Sequence, residues 1–165
     1  MDTKQIYMEK AVKIVDSVYL KQEDIIFLDE TSKVKALKSL LDGCFQKQED
    51  ELDKKIILDI LLERESLGST GIGDGLAMPH AKINGIHKCL VSLGISKVGV
   101  DFDSMDGKPA HIITLLLTPE GSISIYLKAM DGLCKIMKNP AFRSQLVRSK
   151  DNDEVIKLID AVCGM

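Results

Sequence analysis

The chain has three histidines, the side chains best suited to nucleophilic or proton-transfer chemistry near neutral pH, and their surroundings differ sharply. His80 closes the segment Gly68-Ser-Thr-Gly-Ile-Gly-Asp-Gly-Leu-Ala-Met-Pro-His80. Pro79 fixes its own φ and pushes Met78 toward an extended backbone, so the approach to His80 is stiff and its imidazole is held in place. Gly68, Gly71, Gly73 and Gly75 fall within eight positions upstream, and such backbone lets N–H groups converge on an anion, phosphate above all. A pinned imidazole beside those donors is suited to carry a phosphoryl group. A lone histidine is by default a structural or surface residue, and it is the glycine segment and the proline that set His80 apart. His87, in Asn84-Gly-Ile-His-Lys88, reads as a solvated loop residue, and His111, at the start of an apolar run, as a satisfied strand-end group.

Other chemistries fit the same residues poorly. A Walker loop needs Lys-Ser/Thr after its second glycine; Gly68 and Gly73 have the spacing, but Asp74 and Gly75 follow. A dinucleotide fingerprint needs a third glycine at position 76, which is Leu, and a strand before the segment, where a helical pattern stands. His80 and His87 match no zinc spacing, so no metal site is expected. Cys44, Cys89, Cys134 and Cys163 are scattered without a Cys-x-x-Cys pair and read as reduced, structural thiols.

The elements that must position His80 follow from periodicity. Met8, Ala11, Val12, Val15, Val18 and Tyr19 recur at three- and four-residue spacing, predicting an extra N-terminal helix over 1–20. Ile25-Ile-Phe-Leu28 reads as a strand, and Asp29-Glu-Thr-Ser32 offers caps for a helix carrying Val34, Leu37, Leu40, Leu41 and Cys44. A second helix carries Leu52, Ile56, Ile57, Ile60 and Leu61 and ends near Gly68. Val91, Leu93 and Ile95 alternate with small residues, as do Val98, Val100 and Phe102 with Gly99, Asp101 and Asp103, predicting two strands. The run Ile112-Ile-Thr-Leu-Leu-Leu117 suits a central strand covered on both faces. Ile123, Leu127, Met130, Cys134 and Met137 trace a helix that stops at Asn139-Pro140, and Val155, Leu158, Ile159 and Val162 trace the last one behind Asp151. Helices before and after a strand cluster imply an α/β layered sandwich: a mixed parallel and antiparallel sheet with helices on both faces.

Size and charge set the frame. The 165 residues match one domain spanning 1–165, and 45% hydrophobic with 28% charged residues is ordinary for a globular chain. A formal charge of −3 gives no general attraction to nucleic acid or anionic lipid. No apolar run reaches the ~18 residues of a membrane span and the first ten residues do not resemble a signal peptide, so a cytoplasmic location without membrane insertion is expected.

The string Arg64-Glu-Ser-Leu-Gly-Ser-Thr-Gly-Ile-Gly-Asp-Gly-Leu-Ala-Met-Pro-His80 resembles the signature of the mannitol/fructose-type enzyme IIA domains of the bacterial phosphotransferase system, nitrogen-regulatory relatives included. The likeness continues more loosely from Asp24-Ile-Ile-Phe-Leu-Asp-Glu-Thr-Ser32 through Val100-Asp-Phe-Asp-Ser-Met-Asp-Gly-Lys-Pro109 to the helix near Ile159. The resemblance implies an α/β sandwich that accepts a phosphoryl group from the phosphocarrier HPr, or a paralogue, on His80. The group then passes to a IIB component, or serves as a signal in phosphorylation-dependent binding of regulatory target proteins. It also implies that Arg64 grips phosphate oxygens, that N–H groups around Gly71, Gly73 and Gly75 with the Ser69 and Thr70 hydroxyls complete a cradle, and that no cofactor takes part. One departure stands out. Where many members carry a second histidine before a leucine, this chain has Tyr126-Leu127, and a phenol cannot supply an imidazolium's charge. Two readings follow: a working phosphoryl carrier, with Lys128 as a possible substitute cation, or a regulatory binding module whose phosphorylation is slow.

Overall fold

The computed structural model of the chain describes residues 10–16, 18–45 and 53–164. The unbroken apolar run lies in β8 (Ala110–Pro119), the centre of a six-stranded sheet. The order is β3 (Ile25–Leu28), β7 (Leu90–Val100), β8, β5 (Leu76–Ala77) and β4 (Gly71–Gly73), with β6 (His80–Ile83) also paired to β8. β7 and β8 are antiparallel, β3 is parallel to β7, and β5 and β6 are parallel to β8, so the sheet is mixed. Alternation along β8 sends Ile112 and Leu116 to one layer and Ile113, Leu115 and Leu117 to the other. Burial on both sides is why this strand carries no polar stripe.

α1 (Lys33–Cys44) and α2 (Lys54–Ser66) cover the second face, with Leu37, Leu40, Leu41, Ile57 and Leu61 nearly inaccessible. The opposite face carries α3 (Ile123–Met137), α4 (Pro140–Arg148) and α5 (Asn152–Cys163). The layered sandwich with helices on both faces is thus the observed fold. Each fully buried Leu or Ile in these layers contributes roughly 1.5–3 kcal/mol of burial free energy, the main term holding the layers together.

The N-terminal helix is a correction. Two strands, β1 (Ala11–Val15) and β2 (Val18–Lys21), pair antiparallel, with Val12 opposite Leu20; Met8 lies outside the described residues. Val12, Val18 and Leu20 are buried, an every-second-residue pattern, whereas Ala11 and Tyr19 are exposed. Spacings of three and four across a turn imitate a helical stripe, but four β-branched residues, Val12, Ile14, Val15 and Val18, stiffen χ1 and favour the pleated form.

Two further differences have local causes. The two strands predicted over 91–102 are one strand, β7, with a bulge between Ile95 and Val100. Gly99, at φ +91°, donates its N–H to Ser96 Oγ at 2.8 Å there, and Phe102 lies past the strand end. α4 is an additional helix: Asn139 accepts from the Ala141 and Phe142 N–H groups and Pro140 takes the first helical position, where its missing N–H costs nothing. Asn139-Pro140 therefore starts a helix as well as ending α3.

The hairpin is seated by a close approach. A Cβ at the buried Gly132 of α3 would collide with Val15 of β1. Gly132→Ala, which in an exposed helix gains up to ~1 kcal/mol, is expected instead to lose roughly 1–2 kcal/mol from overpacking in urea unfolding; a gain in stability would contradict the hairpin's seat on α3.

Candidate functional site

β6 begins at His80, whose backbone lies beside Leu116 of β8. The Leu116 N–H donates to Pro79 O at 3.0 Å, which fastens the Pro–His step to the central strand. His80 Nδ1 sits 2.9 Å from Met78 O. A carbonyl oxygen only accepts, so Nδ1 carries the hydrogen and the neutral ring keeps its lone pair on Nε2. The ring is half-buried, and its reactive nitrogen is set by its own main chain two residues upstream.

Side chains alternate along β6. Ala81 and Ile83 enter the core beneath α1 and α2, leaving His80 and Lys82 on the opposite face. Tyr126 of α3 meets them there: its ring centroid is 5.5 Å from that of His80, tilted by 43°, and Lys82 Nζ is 5.8 Å from the same ring. Both contacts are in the range where aromatic pairs and cation–π pairs attract. Lys128 is exposed on α3.

The loop between α2 and β4 comes alongside. Met78 N–H donates to Thr70 O at 3.0 Å, and the antiparallel register carries Ser69 and Gly68 on toward Pro79 and His80. Arg64, in the last turn of α2, donates from Nη1 to Gly68 O at 2.8 Å, which ties its guanidinium to the start of this loop. The Ser69 hydroxyl donates to Phe102 O and accepts from Gly71 N–H at 2.9 Å. Thr70 gives both its hydroxyl and its N–H to the Glu65 carboxylate. Gly71 is tight against Ser104, leaving no room for a side chain.

Gly73 and Gly75 lie elsewhere. Leu76 pairs with Ile112 and His80 with Leu116, so the β4–β5 turn is four or more residues from the imidazole, ~13 Å or beyond at strand rise. Gly73, Asp74 and Gly75 have φ of +93°, +54° and +75°, the angles of a tight hairpin turn, and Asp74 N–H binds the Asp106 carboxylate at 3.0 Å. The structure therefore sets Tyr126 against both His80 and Lys82, and ties Arg64 to Gly68 O in the loop that leads into β4. It commits Ser69, Thr70 and Gly71 to building the loop, and Gly73 and Gly75 to the far turn.

Periodicity did not single out Lys82, although position i+2 in a strand that begins at His80 shares its face. Leu67, Ile123 and Leu127 were missed too: they are 82%, 58% and 58% exposed, around Gly68 and Tyr126. Ile123 and Leu127 read as core in the sequence, but α3 buries Ala129, Gly132, Leu133, Ile136 and Met137 instead. His87 is an exposed loop residue, as read. The four cysteines are free thiols; burial pushes Cys44, Cys89, Cys134 and Cys163 above the ordinary thiol range, which disfavours the nucleophilic thiolate. Among the described residues, no three His, Cys, Asp or Glu side chains gather for a metal, and no helix is long and apolar enough to cross a membrane.

A buried ion pair supports the loop. Glu65, 9% exposed, accepts from Lys33 Nζ at 3.0 Å as well as from Thr70, and Lys33 also reaches Asp103 at 3.1 Å and lies 5.0 Å from the centre of the Phe102 ring. Burial works against the Lys33 charge, but hydrogen bonds to Glu65 and Asp103 and their negative charge outweigh it, and the lysine pKa is raised. The start of α1, the end of α2 and the loop beside His80 are joined through this one carboxylate.

The chain is similar to known proteins in sequence and in fold. The family model for the phosphoenolpyruvate-dependent sugar phosphotransferase system, EIIA 2, matches residues 19–162. A fructose-specific EIIABC component of Bacillus subtilis is 36% identical over 108 residues, 66% of this chain but only 17% of that protein. A fructose-specific EIIA component of Haloferax volcanii is 32% identical over 134 residues, covering 80% of this chain and 86% of the relative. The crystal structure of the nitrogen regulatory protein IIA-Ntr from Neisseria meningitidis superposes with a TM-score of 0.75 at 27% identity, covering 84% of this chain and 94% of that one. Enzyme IIA mannitol of Escherichia coli, solved in complex with phosphorylated enzyme IIB mannitol, shares the fold with a TM-score of 0.70 at 17% identity, covering 86% and 97%.

Replacing Lys33 by Met leaves the Glu65 carboxylate buried without its cation, a loss expected to cost on the order of 3 kcal/mol at pH 8. The Lys33 pKa is higher folded than unfolded, so its contribution is full below about pH 10 and is lost as pH rises through the folded value. The gap between wild type and Lys33→Met in urea unfolding should therefore narrow as pH rises through the folded lysine value. A gap that stays constant through the lysine titration would show that the lysine charge is not the source.

Proposed function

Since the chain belongs to the EIIA 2 family of the phosphoenolpyruvate-dependent sugar phosphotransferase system, we propose that it is a phosphoryl carrier with His80 Nε2 as the accepting atom. The observation that carries this reading is the hydrogen bond from His80 Nδ1 to Met78 O, which leaves the lone pair on the outer nitrogen. In transfer, that lone pair attacks the phosphorus of a phosphohistidine on HPr or a paralogue. The donor's N–P bond breaks and its imidazole leaves with the electron pair. His80 gains positive charge, and the Nδ1–H bond to a carbonyl oxygen strengthens as it does so. The chain's task is to align nucleophile and phosphorus and to face the equatorial oxygens with donors, because the transition state is loose and its charge sits on those oxygens.

Arg64 is the bidentate donor in this reading, with the loop backbone at Gly68–Ser69 beside it. Tyr126 offers one hydroxyl donor, and Lys82, on the same face of β6 as His80, supplies the cationic charge that tyrosine lacks. The exposed Leu67, Ile123 and Leu127 make an apolar rim on which a phosphocarrier, or a IIB component receiving the group, docks. Soluble action in the cytoplasm as one domain, without metal or cofactor, belongs to the same proposal. A regulatory binding role is the second reading, favoured by Tyr126 in place of a histidine and by the likeness to a nitrogen regulatory protein.

With enzyme I, HPr and radiolabelled phosphoenolpyruvate, wild type should take up label and His80→Ala should not; an unlabelled wild type defeats the proposal. Lys82→Ala is expected to slow labelling about 10-fold or more, through loss of an electrostatic contact to the transferred group, whereas Lys128→Ala leaves the rate unchanged. Equal rates for the two variants would remove Lys82 from the site. Tyr126→His should speed labelling, and under the regulatory reading it does so without altering capture of target proteins.

A further inference from the structure

A second set of basic groups converges at the other end of the sheet. An open cleft of about 360 Å³ lies between the β4–β5 turn, the bulged part of β7, the start of β8 and α4. Its charged and titratable lining is Lys97, His111, Arg143, Arg148 and Asp74, so three permanent cations face one carboxylate. Ile112, Pro140 and Val147 give it an apolar side. His111 and Ile112 are four to five residues along β8 from Leu116, the neighbour of His80, so the cleft is ~13–17 Å from the imidazole and separate from it.

Two of its polar groups are held in fixed positions. His111 Nδ1 donates to Ser96 O at 2.8 Å, which leaves Nε2 as the ring nitrogen open to a ligand. The bulge in β7 presents that carbonyl, and it requires glycine at position 99: a Cβ there would lie 2.7 Å from Pro109 Cβ and 3.1 Å from His111 Cε1, at φ +91°. Bulges that re-aim side chains recur beside binding sites. Arg143 donates from Nη1 to Met137 O at 2.7 Å and Lys138 O at 3.2 Å, closing the end of α3 while its other N–H groups remain for the cleft. Lys97 and Arg148 approach from β7 and from the end of α4.

We infer that this cleft binds a small phosphate monoester, independently of His80. A dianionic phosphate engages all three cations, two of them guanidinium forks matched to its oxygens, and the apolar side receives the organic part. The volume is that of a site for one small molecule, and the chain's net charge of −3 opposes a nucleic acid polyanion.

Titration calorimetry on the full chain, with glucose 6-phosphate, glucose, inorganic phosphate and phosphatidylglycerol vesicles as probes, tests the inference. Glucose 6-phosphate should bind saturably and more tightly than inorganic phosphate, and glucose should not bind. Lys97→Ala with Arg148→Ala, surface changes that leave the fold and His80 labelling intact, should weaken binding about 10-fold or more, from the loss of two charge-assisted contacts. His80→Ala should bind as wild type does, which separates this site from the phosphoryl-accepting one. Absence of saturable sugar phosphate binding, binding unchanged in the double variant, loss of binding in His80→Ala, or binding to vesicles alone would each overturn it.

Discussion

A single hydrogen bond from an imidazole to its own main chain sets the terms for the whole site. Because Met78 O can only accept, His80 Nδ1 must keep its hydrogen and Nε2 must keep its lone pair. That bond depends on the Met78 carbonyl standing still. Pro79 restricts the backbone on either side of it, and the Leu116 N–H fastens the Pro79 carbonyl to β8. β8 in turn is immobilised by apolar side chains buried on both its faces. The rigidity of a histidine at a strand end is thus borrowed from the central strand it pairs with.

Arg64, the loop before β4 and Tyr126 come from elements other than β6, and each is anchored by the protein's own groups. Arg64 is tied to Gly68 O, the loop from Gly68 to Gly71 is tied to Glu65 and Phe102 O, and Tyr126 lies against both His80 and Lys82. Glu65 is the costly member: a nearly inaccessible carboxylate is tolerated because Lys33 and Thr70 satisfy it together. Donors held in place ahead of reaction need little reorganisation when charge develops, which is how electrostatic stabilisation becomes effective.

The sandwich and the stiff approach to His80 were legible in the sequence for physical reasons. Pro79 and the glycines impose backbone restrictions that hold whatever the tertiary context, and the run Ile112–Leu117 has no polar face because it has no solvent face. The failures share a different cause. Val12, Val15 and Val18 recur at a helical spacing only because a turn separates the two strands, and packing against α3 and α5 favours the hairpin. Ile123 and Leu127 are apolar yet exposed, so hydrophobicity alone misplaced the buried face of α3. Gly73 and Gly75 were read with the phosphate cradle because spacing along the chain does not reveal that a hairpin carries them away from His80. Lys82 escaped notice because its significance depends on Tyr126, 44 positions on, folding over the same face.

Nitrogen-15 and phosphorus-31 NMR of the phosphorylated protein, with labelled histidine, measures the central claim directly, since coupling to phosphorus reports which ring nitrogen carries the group. The account predicts one phosphohistidine, at His80, with phosphorus on Nε2 and a hydrogen retained on Nδ1. Phosphorus on Nδ1 of His80, or on either of the other histidines, would contradict it.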